Sequence, residues 1–156
     1  MLTWMPSPSL HQQSKASHVR RLHYNHDAPT HNIPQGIKEV RFGDQFDQPL
    51  EGMLLAGLIK LKFGKLFNQK LKIGELPSTL NEITFGDDFD QPLRDGVLPL
   101  RLTQLTFGYR FDQPMNVGVL PSMLTELTFG EFFGQPINEG VLPPTLTQLN
   151  FGCCFD

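Results

Sequence analysis

A 22-residue period constrains this chain more than any single motif does. Phe-Gly occurs at Phe42, Phe63, Phe85, Phe107, Phe129 and Phe151, in steps of 21, 22, 22, 22 and 22 residues. A second Phe follows each after four residues, at Phe46, Phe67, Phe89, Phe111, Phe133 and Phe155. Repetition at this length specifies stacked units, each burying its apolar face against its neighbours. The unit is clearest in residues 102–120, LTQLTFGYRFDQPMNVGVL.

Residue alternation predicts the shape of one coil. Leu105 and Phe107 are two apart, the strand period, with Gln104 and Thr106 pointing the other way. A short strand is expected over 104–107. Gly108 is expected to end it by turning with positive φ. Phe111 re-enters the core, Pro114 cannot sit in a central ladder, and Gly118 turns the chain again before Leu120-Pro121. This leaves too little chain for a return helix. The fold class is therefore an all-β or β-rich repeat solenoid, with one short parallel strand per 22-residue coil. Leu102, Leu105, Phe107, Phe111, Met115 and Leu120 form its core, together with Leu80, Ile83, Phe85, Phe89, Leu93 and Leu98 below and Leu124, Leu127, Phe129, Phe133, Ile137 and Leu142 above.

Residues 1–23 break the pattern and read as an irregular tail. Residues 24–156 read as about six coils, the first degenerate and the last incomplete. Tyr24 lies 22 residues before Phe46 and is aligned with it. The unit containing Met53 to Leu58 is one residue short between Leu50 and Gly52, which an outer turn would tolerate. The last unit stops in mid-repeat, so end-to-end association through an uncapped C-terminal coil is an expectation.

The residue after the second Phe is Asp47, Asn68, Asp90, Asp112, Gly134 and Asp156. Each Asx is expected to accept from N–H groups of its own turn. The functional alternative is a cation site between Asp90 and Asp112. Gln48, Gln69, Gln91, Gln113 and Gln135 follow without a break, and a stacked Gln ladder is expected.

Several function classes find no support. The net charge of −3 supplies no field for nucleic acid or an anionic membrane. No apolar run of spanning length occurs, and the opening MLTWMPSPSLHQQ lacks a signal-peptide pattern. Cys153 and Cys154 are adjacent turn residues that build no disulfide framework, so a reducing, cytoplasmic location is expected. No phosphate loop or catalytic triad interrupts the repeat. An enzyme, a catalytic residue, a cofactor and a metal are accordingly not expected.

The pattern Phe-(Asp/Asn)-Gln-Pro-(Leu/Ile), Gly-x-Leu-Pro, Leu-x-x-Leu-x-Phe-Gly resembles the FNIP repeat, a relative of leucine-rich repeats, from about Ile33 to Asp156. The resemblance implies a curved parallel solenoid with a protein-interaction role. Some members carry an F-box before the repeats, but residues 1–32 are too short and polar for one.

The expected function is a non-enzymatic scaffold that binds a protein through the exposed strand face. Candidate contact residues are Lys38, Arg41, Lys60, Lys62, Glu82, Thr84, Gln104, Thr106, Glu126, Thr128 and Gln148, with Tyr109 and Arg110 in the adjoining turn. The first two coils are basic there, which suits an acidic partner segment. Two other readings stand beside this one. The chain could be a structural remnant or fragment of a larger F-box-type substrate receptor. It could also be a metal-binding module using His11, His18, His23, His26 and His31.

Overall fold

Seven short strands, stacked in chain order, make a single parallel sheet in the computed structural model, which describes residues 20–24, 35–50, 52–54 and 56–153. They are β1 (Arg21–Tyr24), β2 (Glu39–Phe42), β3 (Lys60–Lys62), β4 (Glu82–Thr84), β5 (Gln104–Thr106), β6 (Glu126–Thr128) and β7 (Gln148–Asn150). The strands from β3 onward are three residues long, each pointing one residue inward, such as Leu105, between two outward polar ones. Tight turns then bring the chain back. In one coil the Phe111 N–H donates to Gly108 O at 3.4 Å, Val119 N–H to Asn116 O at 3.2 Å and Leu124 N–H to Pro121 O at 3.0 Å. The fold is thus a parallel β-solenoid, as the period predicts. The shortened unit keeps its turn: Met53 N–H reaches Leu50 O at 2.6 Å, and exposed Gly52 has φ of 77°.

Stacking builds the core. Phe85, Phe107 and Phe129 form one column, with ring centroids 5.5 Å apart at both steps. Phe89, Phe111 and Phe133 form a second, at 6.0 and 6.2 Å. Within a coil the columns touch, with Phe107 and Phe111 3.8 Å apart. The rings lie nearly parallel, 13° or less between planes in these contacts, an offset stack that adds to simple burial. The expected core residues are buried except Ile137 and Leu142, which are half-buried. Both belong to the outermost described coil. A column absent from the expected core, Val97, Val119 and Val141, is also buried.

Two expectations need correction. Gly108 does not have a positive φ; that role falls to Gly96, Gly118 and Gly140, among others. Gly108 is required by close approach, since a Cβ there would stand 1.9 Å from the carbonyl oxygen of Gly86. The hydrogen in that place points at the carbonyl as a weak Cα–H···O contact. The same holds for Gly86 over Gly64 and Gly130 over Gly108. Tyr24 also sits elsewhere than expected: it is the strand partner of Phe42, not of Phe46, and Leu22 is that of Val40. Alternation within the strand outweighs the 22-residue count, since strand partners there are 18 residues apart, as Tyr24 and Phe42 show. The intervening segment 25–34 lies outside the described residues.

Candidate functional site: the exposed strand face

Register sorts the outward residues of the sheet into two columns. The first runs Arg21, Glu39, Lys60, Glu82, Gln104, Glu126 and Gln148; the second runs His23, Arg41, Lys62, Thr84, Thr106, Thr128 and Asn150. In the first column charges alternate and pair. Arg21 Nε lies 2.7 Å from Glu39 Oε2, and Lys60 Nζ forms an ion pair with Glu82 Oε2. These exposed pairs contribute at most about 1 kcal/mol each, but they neutralise the charge they carry. In the second column Arg41 and Lys62 are direct neighbours. Both are exposed, and neither has an ion pair or hydrogen bond among the described residues. Like charges side by side on a sheet destabilise it, so folding does not account for this pair.

The neighbouring residues of this face divide in the same way. Lys38 turns inward, donating from Nζ to Gly57 O at 3.0 Å. Thr103 and Thr125, which precede the strands, donate their hydroxyls to the carbonyls of Asn81 and Thr103 at 3.1 and 3.0 Å. They clamp coil to coil and have less left for a partner. Thr84 and Thr106 hydroxyls take no hydrogen bond among the described residues.

Beside the second column runs a groove of about 600 Å³. Lys62, Thr84, Thr106 and Thr128 form one wall, Lys65, Asp87, Tyr109 and Glu131 the other, and the Phe-Gly backbone the floor. Gly86, Gly108 and Gly130 leave that floor bare, because no side chain fits there. Arg110 is tied to Asp88, with Nε 3.3 Å from Oδ1. Tyr109 leans on Phe132, ring centroids 4.7 Å apart, and both rings are about half-exposed. Lys65 and Phe132 were absent from the candidate contact residues. The available signal was their place in the two-residue turn between Gly and the second Phe, the most variable stretch of the unit.

The acidic column works differently from expectation. Asp90 Oδ1 accepts from Asp112 N–H at 3.0 Å and from Gln113 Nε2 at 2.8 Å, both in the next coil rather than its own turn. Asp47, Asn68 and Asp112 repeat the arrangement. The glutamines therefore donate to Asx of the preceding coil and do not ladder with one another. One oxygen serves both donors, and Asn68 supplies it as an amide. Asp90→Asn should thus change stability little. Asp90→Ala should cost about 1–3 kcal/mol by leaving two donors without an acceptor. Urea denaturation of the two variants checks this ordering.

Among the described residues no group of three or more His, Cys, Asp or Glu is gathered as a metal would need. His23 is exposed on β1; the other four histidines lie outside the described residues, as does Cys154. The Cys153 thiol and backbone N–H both donate to exposed Glu131, which lowers that carboxyl below its ordinary range. No helix among the described residues is long and apolar enough to cross a membrane.

Comparison with known proteins agrees with this geometry. A crystal structure of CroV588, described as a novel circular LRR protein, superposes with a TM-score of 0.78 at 45% sequence identity. The match covers 80% of this chain but 18% of that one. No curated protein matches the sequence. The FNIP Repeat family model matches five times, over residues 24–66, 52–88, 67–110, 89–132 and 111–154. With those matches spanning nearly all of the described stack, this chain belongs to the FNIP repeat family.

Proposed function

We propose that the chain is a non-enzymatic scaffold that receives another protein on its exposed strand face. The observation that carries this is the Arg41–Lys62 pair, two exposed cations held side by side with no ion pair or hydrogen bond among the described residues. A surface of fixed, regularly spaced side chains on stacked coils is well suited to recognising an extended partner. An acidic segment on that partner would relieve the repulsion between the two cations and gain charge-assisted hydrogen bonds from both. Lys60 contributes less, because Glu82 already holds it.

A pull-down tests the reading. The intact chain should retain partners that are lost when Arg41 and Lys62 are both reversed to Glu. Reversing Lys72, which pairs with Glu75 in the turn beyond Leu71, should leave them bound. An identical partner set for all three chains would sink the proposal.

A further inference from the structure

We infer that the groove beside the second column takes an extended peptide lying across the strands. Its carboxylates would sit over Lys62 and Arg41, one rung beyond it, and an apolar side chain would pack against Tyr109, which leans on Phe132. This rests on the scaffold reading and names the partner and its direction.

The groove is not uniform along its length. At one end Lys62 and Lys65 face it, with Arg41 one rung beyond Lys62 in register. Asp44 is the single carboxylate lining that end among the described residues. Past Lys65 the charge reverses, with Asp87 in the coil of Thr84 and Glu131 in the coil of Thr128 on the turn wall. An occupant acidic throughout would be repelled there, so acidic groups are accepted at one end only. The middle offers the hydroxyls of Thr84 and Thr106, which take no hydrogen bond among the described residues and suit peptide N–H and C=O groups.

Tyr109, in the coil of Thr106, is the aromatic side chain exposed on the turn wall, and Phe132 backs it from outside the groove lining. The two residues are 47% and 49% exposed, although the repeat places Asp87-Asp88 at the equivalent turn one coil below Tyr109. Exposed aromatics that fold stability does not require are characteristic anchors of protein recognition. The bare glycine floor lets a backbone approach closely. From Arg41, one rung beyond Lys62, to Thr128 is four steps of about 4.8 Å, a span of about six residues of extended chain. Nucleic acid fits poorly, since Asp87 and Glu131 would face its phosphates.

The test uses the intact chain and a dye-labelled peptide with two glutamates at one end, a serine-glycine centre and a leucine at the other. The peptide is made in both chain directions and followed by fluorescence anisotropy. One direction should bind saturably. Affinity should fall at least ten-fold in the Arg41→Glu, Lys62→Glu double variant, several-fold in Tyr109→Ala, and steeply with added salt. The inference is overturned if neither direction binds at millimolar peptide, if the variants bind as well as the unmodified chain, or if a single-stranded oligonucleotide binds equally. Loss of pull-down partners on reversing Arg41 and Lys62, with neither peptide bound, overturns the groove peptide and leaves the scaffold. An unchanged partner set overturns the scaffold itself.

Discussion

Replacing Phe107 with alanine is expected to cost about 3–5 kcal/mol, the range for truncating a fully enclosed Phe. The ring is 2% exposed and touches Phe111 in its own coil as well as Phe85 and Phe129 above and below. Its loss opens a cavity that polar neighbours cannot fill, and it removes stacking contacts on both sides. In a one-dimensional stack, stability is a sum of coil terms and nearest-neighbour terms. A central Phe therefore weakens two interfaces at once. Phe151, which packs on Phe129 and Phe133 and is only half-buried, should cost clearly less when cut to alanine. Urea denaturation of the two variants gives the ordering. Equal losses would show that the Phe columns do not couple successive coils.

The core was legible because five copies of one unit report each column repeatedly. Leu102, Leu105, Phe107 and Phe111 could be assigned without knowing any contact. The pairing of Lys60 with Glu82 was legible too, since the two stand one period apart; only the 22-residue count was needed to set Lys60 aside from Lys62. The partner of the Asx column left a subtler trace. Gln135 persists after Gly134 although its own coil offers no Asx, which makes sense only if Gln135 donates to Asp112 of the coil before. The register of Tyr24 could have followed from Leu22-x-Tyr24 matching Val40-x-Phe42. The groove was not legible, because its floor is backbone and its walls are residues that fall in separate parts of the unit. The role of Gly108 was not legible either: a positive φ and a close contact both demand glycine, and the letter is the same.

Those two demands on glycine differ in energy, and substitution separates them. Gly118 has φ of +89°, and the nearest atoms to a Cβ there belong to the Asp95 carboxylate at 3.4 Å, which can swing away. Gly118→Ala should therefore carry only the conformational penalty, about 1–2 kcal/mol. At Gly108 the obstruction is backbone: Gly86 O at 1.9 Å, Gly86 C at 2.4 Å and Asp87 Cα at 2.8 Å. Restoring ordinary contact, at 3.4 Å or more, means parting two coils. The contact lies between two inter-coil bonds, Phe85 N–H to Thr106 O and Arg110 N–H to Asp87 O, each 2.9 Å. Any parting lengthens both and opens the Phe85–Phe107 stack beneath them. Overpacking alone typically costs about 1–3 kcal/mol where neighbours can yield; here they cannot, and the loss should exceed that range. Gly108→Ala is expected to fall well below Gly118→Ala in urea midpoint, or to show no cooperative transition at all. A Gly108→Ala chain unfolding at the same urea concentration as Gly118→Ala would mean that the coils are not held at the spacing that makes this glycine column necessary.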